Sequence, residues 1–253
     1  MNSSSQRSDS VNIFCERSWP KAIAVTGALG SGKTECVLNM AIAFRSCGEY
    51  VTIADVDIIN PYFCVRQIAE KLRSRGFSIL TPPESVRWSD MPVIAPGVGW
   101  ALRSGENRLL IDVGGDAIGV RALKQFSDIL SESGYLFILV VNPFRPKTSD
   151  TSGIRDMILN MELISGLKVG ALMANPHLMD ETTKDDLLWG YEQVFLSGKE
   201  LELEVLLGMV PPHITDEIED LKTKSPIRLC PMVRHMMLPW EEGYMWTEIG
   251  DRS

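Results

Sequence analysis

The sequence lacks the features of secreted, membrane-spanning and metal-cluster proteins. None of its five cysteines forms a CxxC pair, so the spacing of a zinc or iron–sulfur site is missing. No apolar run approaches the roughly 18 residues that cross a bilayer; the longest, 135–141, has the length of a buried strand. The stretch 1–10 is polar and lacks the hydrophobic segment that a secretory signal contains. We therefore expect a cytoplasmic protein without a membrane span, whose cysteines are free, reduced thiols.

An excess of positive charge is missing as well. The chain has 33 acidic and 25 basic residues, which gives a formal net charge of −8 at pH 7. Duplex nucleic acid and anionic lipid both attract basic protein surfaces. We therefore expect no duplex nucleic acid among the partners.

Short apolar runs alternate with amphipathic stretches along most of the chain. The predicted strands are 21–26, 50–54, 77–80, 108–113, 136–141, 168–174 and 204–210, and the last of these closes the series. The predicted helices are 33–47, 62–75, 120–132, 149–165 and 182–196. This alternation is typical of βαβ units and predicts an α/β fold: a doubly wound, mostly parallel sheet with helices on both faces, in three layers.

One segment carries a complete phosphate-binding motif. Residues 27–34 read GALGSGKT and match the Walker A pattern GxxxxGK[ST] between a predicted strand and a predicted helix. Glycines let successive backbone N–H groups converge on phosphate oxygens, and the helix N-terminus adds its dipole. Lys33 is expected to reach the β- and γ-phosphates and the Thr34 hydroxyl to bind Mg²⁺. The predicted nucleotide-binding residues here are Gly27, Leu29, Gly30, Ser31, Gly32, Lys33, Thr34 and Glu35.

Acidic residues follow two further strands. Asp55 and Asp57 come at the end of the second strand, where carboxylates of parallel strands face the ligand crevice. One acid there can orient the attacking water or hold Mg²⁺ through water. The alternative is a strand-end cap before the helix-initiating Asn60 and Pro61.

The run 109–116, LLIDVGGD, has the Walker B arrangement, in which an apolar strand ends in an acid that holds a magnesium-bound water. Gly115 can offer its amide to the γ-phosphate. Asp116 either caps the loop or contacts Mg²⁺ or substrate. The predicted catalytic residues are therefore Lys33, Asp57 and Asp112, and the predicted metal ligands are Thr34, Asp57 and Asp112.

The nucleotide base is predicted to lie beside two further strand ends. Asn175 is followed by Pro, His and Leu, without the lysine and acid of the guanine-reading NKxD run, so adenine is favoured. Asn175 would hydrogen-bond the adenine, and the loop with Pro211 and Pro212 would stack on it. Ordinary strand-end turns are the alternative reading of both segments. Arg145 follows another strand and faces either solvent, as a loop arginine, or the nucleotide phosphate or a substrate.

The order of these motifs resembles the MinD/ParA/CobQ branch of the SIMIBI class of P-loop ATPases, over roughly residues 21–225. The resemblance implies that Asp57 acts on the hydrolytic water, that Asp112 is the Walker B acid, and that Asn175 contacts adenine. Many members carry a lysine after the first P-loop glycine that reaches across a dimer; Ala28 stands there instead, so the signature lysine is absent.

Three segments follow from this reading. We predict a flexible N-terminal tail over 1–20, a P-loop nucleotide-binding domain over 21–225, and a covering segment or tail over 226–253. The tail holds Trp240 and Trp246, which either pack over the domain or bind a partner.

The leading hypothesis for function is an ATPase that uses Mg²⁺ and ATP and whose nucleotide state changes a surface for a protein client or second subunit. The two expected switches are 60–63 and 114–119, because each follows an acid predicted to face the γ-phosphate. The main alternative is a phosphotransferase or ATP-dependent ligase that holds a small molecule against the irregular stretch 82–107. A nucleotide-binding regulator without turnover is a further alternative.

Overall fold

A computed structural model describes residues 14–57, 65–82 and 96–236 of the chain. The strands are β1 Ala22–Gly27, β2 Val51–Asp55, β3 Ser78–Leu80, β4 Arg108–Asp112, β5 Tyr135–Val141, β6 Ala171–Ala174, β7 Glu204–Val210 and β8 Leu229–Pro231. The helices are α1 Lys33–Ser46, α2 Ala69–Ser74, α3 Val98–Ser104, α4 Ala117–Lys124, α5 Ser127–Ser133, α6 Thr151–Ser165, α7 Lys184–Glu200 and α8 Ile218–Lys224. Short 3-10 helices occupy Val65–Ile68, Pro146–Thr148 and Pro212–Glu217.

The strands form one eight-stranded sheet in the order β3-β2-β4-β1-β5-β6-β7-β8, and all of its pairings are parallel. β1 lies at the centre, between β4 and β5. Because parallel strands end at the same edge, the loops after β1, β2, β4, β5 and β6 meet there.

Apolar residues alternate between the two faces of the sheet. In β4, Leu109 and Ile111 join a cluster with α4, α6 and α7, whereas Leu110 joins a second cluster with α1. A strand that is buried on both faces reads as a continuous apolar run, as the sequence does here. The predicted three-layer α/β fold is therefore confirmed.

Several element bounds differ from the prediction. The helix expected over 120–132 is two helices, α4 and α5, and a helix, α3, lies in the stretch expected to be irregular. The strand expected over 168–174 begins only at Ala171, and the described part of the helix expected over 62–75 begins with a 3-10 turn. The expectation that the strand series closes at Val210 is wrong, because β8 pairs with β7. β8 ends in Pro231, and proline is uncommon inside strands, so the sequence around it does not predict a strand.

The cysteine prediction is wrong for two of the five residues. Cys15 and Cys47 form a disulfide that joins the N-terminal segment to the end of α1. The same segment places Phe14 and Trp19 against Phe44 of α1, with ring centroids 5.3 to 5.6 Å apart. No spacing pattern marks this pair, because the two cysteines lie 32 residues apart and only the packing of the segment brings their thiols together.

The remaining described cysteines, Cys36 and Cys230, are buried and free; Cys64 lies outside the described residues. Burial raises the pKa of both thiols, that of Cys230 to about 12, which keeps them protonated and unreactive.

The two ends of the described chain pack on the same face of the sheet. Phe14, Trp19, Cys230 and Met236 all belong to the cluster that includes α1. The division of the chain at residues 20 and 225 stays a prediction, and Trp240 and Trp246 lie outside the described residues. Among the residues that are described, no helix has the length and apolar character needed to span a membrane.

Candidate functional site

The phosphate-binding motif forms the turn between β1 and α1 at the centre of the sheet edge. Gly30 and Gly32 have φ values of 73° and 83°, in the left-handed region that favours glycine. Ser31 is fully buried, whereas the side chain of Leu29 is 79% exposed at the tip of the loop. Glycine is therefore required at two positions here by backbone conformation alone.

Lys33 and Asp57 form a buried ion pair at this edge, with Nζ 2.8 Å from Oδ2. Burial lowers the pKa of Lys33, but the charges of Asp112 and Asp57 outweigh that effect and raise it above its usual value. The lysine is therefore fully charged, and a bound phosphate would compete with Asp57 for its ammonium group.

Thr34 and Asp112 form the second contact between predicted site residues. The Thr34 hydroxyl donates to Asp112 Oδ2 over 2.7 Å. Burial raises the pKa of Asp112 to about 7, although the charge of Lys33 opposes the shift. The other carboxylate oxygen, Oδ1, is buried, and no residue in the described ranges hydrogen-bonds to it.

These residues fit a magnesium ion. Mg²⁺ prefers oxygen ligands and is commonly held by one or two carboxylates together with substrate phosphates and water. Thr34 Oγ1 and Asp112 offer such oxygens. The buried Oδ1 of Asp112 has no hydrogen-bond partner among the described residues, and a bound ion would fill that place. In the described part of the chain, no group of three or more His, Cys, Asp or Glu side chains is placed to hold a metal by itself.

Asp55 faces a different cation from Asp57. Its carboxylate accepts from Arg66 Nε over 2.8 Å, and Oδ1 also accepts from the backbone N–H of Asp57. Arg66 in turn donates to the carbonyl oxygen of Asp57. Asp55 therefore holds the turn that aims Asp57 at Lys33. Arg66 was missed by sequence reasoning, since it lies eleven residues after Asp55 in a stretch without a recognisable motif.

The loop after β4 lies directly against the P-loop. A Cβ added to Gly115 would lie 1.9 Å from the carbonyl oxygen of Gly27, so only glycine fits there. The Thr26 hydroxyl donates to the carbonyl of Gly114 over 3.2 Å. Asp116 caps α4, with Oδ1 accepting from the backbone N–H groups of Ile118 and Gly119. Of its two predicted roles, the structure shows the cap.

Two side chains contact the P-loop from the loops after β5 and β6, on the other side of β1 from β4. Asn175 Nδ2 donates to the carbonyl oxygen of Ser31 over 2.8 Å, and Arg145 Nε donates to that of Gly30 over 3.0 Å. Asn175, the predicted adenine ligand, therefore donates one of its side-chain N–H groups to the P-loop itself. Arg145, for which a solvent-facing position was one of the two expectations, lies on the phosphate-binding loop.

Pro211 and Pro212 lie at the end of β7, one strand farther from β1 than Asn175. The ring Nε2 of His213 lies 3.0 Å from the carbonyl oxygen of Thr182. The two loops that were predicted to flank the base are thus joined to each other.

Glu35 has a different partner from the predicted nucleotide. Its carboxylate accepts from the backbone N–H groups of His235 and Met236, over 2.5 to 3.0 Å. One turn later in α1, Asn39 exchanges two hydrogen bonds with the backbone of Val233. These contacts hold residues 233–236 against the first turns of α1, the helix that follows the P-loop. No local sequence pattern predicts a contact between segments so far apart in the chain.

Several solved structures are similar to this chain, and the one with a TM-score of 0.50 supports the fold. The cell division protein FtsY of Thermotoga maritima is similar over 77% of this chain and 67% of its own, with 16% identity and a TM-score of 0.50. The signal recognition particle receptor FtsY of Elizabethkingia anophelis matches with 18% identity, 79% coverage of this chain and a TM-score of 0.48; the match spans 63% of the receptor's chain. FlhF complexed with GTP and Mg²⁺ matches with 17% identity over 78% of this chain and 68% of its own, with a TM-score of 0.48.

No protein-family model and no curated protein sequence matches the chain. At the identities above, the structural likeness concerns the fold: a parallel sheet covered by helices on both faces.

Proposed function

We propose that this protein is a Mg²⁺-dependent ATPase of the MinD/ParA/CobQ-like kind, whose nucleotide state switches a surface for a protein client or second subunit. The observation that supports it most is the meeting of Lys33, Asp57, Thr34 and Asp112 around a complete P-loop. These residues come from the first turn of α1, from the segment after β2 and from the end of β4, and each was expected at this edge for a separate chemical reason.

The proposed reaction begins when the nucleotide phosphates replace Asp57 as the partner of the Lys33 ammonium group. The lysine then donates to the β- and γ-phosphate oxygens, and Asp57 becomes available to orient the attacking water. Thr34 and Asp112 would hold Mg²⁺, which neutralises charge that develops on the phosphates during transfer. Asp55 and Arg66 would keep Asp57 in place throughout, because Asp55 accepts from the Asp57 N–H and Arg66 donates to the Asp57 carbonyl oxygen.

The switch is proposed to lie in the loop after β4. Gly115 lies so close to the Gly27 carbonyl that it leaves no room for a Cβ, which supports a coupling between this loop and a phosphate bound by the P-loop. The same loop leads into α4, whose Ile118 is half exposed. A change at the phosphate would therefore reach the surface within a few residues. The other proposed switch, 60–63, lies outside the described residues.

Adenine is proposed as the base for one further reason. A guanine site needs a carboxylate on the loop after β6, and the acid nearest to Asn175 on that loop, Asp180, is 85% exposed and faces Arg234 at 3.9 Å. The position of Asp180, exposed and beside Arg234, supports adenine over guanine as the base.

The proposal is tested by measuring phosphate release from ATP and from GTP, each with Mg²⁺ and with EDTA. We expect Mg²⁺-dependent release of phosphate from ATP at a rate above that from GTP. A preference for GTP would overturn the assignment of the base while keeping the phosphate chemistry. If neither nucleotide bound nor was hydrolysed, with or without proteins from a cell extract, the proposed function would be wrong.

Asp57→Asn is expected to lower kcat by roughly 100- to 10,000-fold, the usual contribution of a general base or water-positioning acid. Affinity for ATP should stay the same or rise, because Lys33 no longer has to leave a carboxylate. Single-turnover hydrolysis and equilibrium binding of a nonhydrolysable analogue measure the two effects separately.

Asp150→Asn is the matched control for this variant. Asp150 caps α6 by accepting from the Gly153 N–H over 2.8 Å, and asparagine caps helices equally well. Unchanged turnover in Asp57→Asn would show that another group positions the water.

A further inference from the structure

The two acids of the site lie on one side of the P-loop. Asp57 and Asp112 follow β2 and β4, which lie on one side of β1 in the sheet, whereas Arg145 and Asn175 follow β5 and β6 on the other. A nucleotide is an extended molecule. If its terminal phosphate and metal face the acids, its nucleoside must extend toward the ends of β5 and β6.

Arg145 lies at the beginning of that path. Its Nε donates to the carbonyl oxygen of Gly30 over 3.0 Å. The guanidinium covers the glycine: a Cβ on Gly30 would lie 3.1 to 3.4 Å from three of its atoms. The guanidinium therefore lies against the loop at Gly30, one residue before the Ser31 carbonyl that Asn175 binds.

The loop that carries Arg145 is fixed by a buried asparagine. Asn142 accepts from the backbone N–H groups of Phe144 and Arg145 through its side chain and its carbonyl oxygen. Its Nδ2 also donates to the carbonyl oxygen of His177, over 3.0 Å. The same residue thus sets the positions of the β5 and β6 loops, and the guanidinium is placed in advance of any ligand.

The charge of Arg145 is not used by an acid. Within residues 14–57, 65–82 and 96–236, no carboxylate forms an ion pair with it. Its near neighbour His177 is neutral, because burial, together with the charge of Arg145, lowers the pKa of that ring to about 4. The guanidinium is therefore a planar cation that no carboxylate of the described residues neutralises, and it lies beside the proposed path of a nucleotide.

We propose that Arg145 binds the nucleoside part of the nucleotide, with its guanidinium plane stacked on the purine ring. This rests on the proposed function. Arginine suits the role because its group is planar, permanently charged and weakly hydrated, and it stacks on aromatic faces. The Gly30 carbonyl sets the orientation of the plane, and the free face is the one offered to the base.

The test compares a nucleotide with a ligand that has phosphates but no nucleoside. Binding of ADP and of inorganic tripolyphosphate, both with Mg²⁺, is measured by calorimetry for the unmodified protein and for Arg145→Ala and Arg145→Lys. We expect the ratio of ADP affinity to tripolyphosphate affinity to fall about tenfold in Arg145→Ala, the scale of one lost stacking contact. Arg145→Lys should behave similarly, because it keeps the charge but not the plane.

Using the ratio separates stacking from loop positioning. A loosened P-loop would weaken both ligands equally and leave the ratio unchanged, and that outcome would overturn the proposal. Arg155→Ala is the control, since Arg155 lies on α6 in an exposed ion pair with Glu200. If the unmodified protein bound tripolyphosphate but not ADP, the proposed function itself would fail, and Arg145 would not be the cause.

Discussion

Lys33→Met is expected to abolish nucleotide binding, with a loss of affinity of roughly 100-fold or more. Hydrogen bonds to charged groups contribute about 1.5 to 3 kcal/mol each, and the lysine is expected to make more than one with the phosphates. Methionine keeps the length and apolar stem of the side chain, so the cavity stays filled. Binding of a fluorescent nucleotide analogue, titrated in the presence of Mg²⁺, measures the change.

The ion pair between Lys33 and Asp57 complicates this variant, because both partners are buried. Removing one partner of a buried pair typically destabilises a protein by about 3 to 5 kcal/mol. A loss of binding could then reflect unfolding, so thermal denaturation must accompany the titration. The double variant Lys33→Met/Asp57→Asn removes both charges of this pair and should recover part of that stability, although Asp112 still loses the charge of Lys33.

The double variant makes the prediction decisive. If it is folded and still fails to bind, Lys33 acts on the phosphates. Recovered binding would mean that the lysine serves only to neutralise Asp57, and the P-loop assignment would have to be revised. Lys168→Ala, whose side chain is 83% exposed on the surface, should change neither quantity.

The features that sequence reasoning found are those that local chemistry determines. A fully buried strand requires a continuous apolar run, and a phosphate-binding turn requires glycines at fixed spacing, so β1, β4 and the segment 27–34 could be identified in advance. The bounds of α1 followed for the same reason, because Gly32 and Gly48 adopt left-handed conformations at its two ends.

The features that sequence reasoning missed depend on contacts between distant segments of the chain. Glu35 binds the backbone of residues 235–236, about two hundred positions away, and nothing near Glu35 in the chain distinguishes it from a solvent-exposed acid. The disulfide between Cys15 and Cys47 depends in the same way on how the N-terminal segment packs.

Asn175 and Arg145 show a related limit for the site itself. The strand ends that carry them could be placed at the correct edge of the sheet, because topology alone determines this. The atoms that Asn175 and Arg145 contact could not be predicted. The carbonyl oxygens of Ser31 and Gly30, which they bind, take up their positions only when the P-loop folds. Position in the fold was predictable here, whereas the partner of each side chain was not.

Gly115→Ala is expected to damage both stability and turnover. The added Cβ would lie 1.9 Å from the Gly27 carbonyl oxygen, and the atom it meets is backbone that cannot rotate away. The loop must therefore move by about 1 Å, a displacement that can cost roughly 100-fold in rate when it misplaces a reacting group. Overpacking of this kind also costs about 1 to 3 kcal/mol. Steady-state phosphate release and thermal denaturation measure the two effects.

Gly99→Ala is the matched control, and its expected sign is opposite. Gly99 lies in α3 at ordinary helical φ, and an added Cβ would come no closer than 3.5 Å to the end of a flexible arginine. Alanine should stabilise that helix by up to about 1 kcal/mol, because glycine has the lower helix propensity. If Gly115→Ala hydrolysed ATP at the unmodified rate, the loop after β4 could not be the element that senses the phosphate. If its rate fell while nucleotide affinity stayed unchanged, the contact between Gly115 and Gly27 would be part of the hydrolytic step, separate from binding.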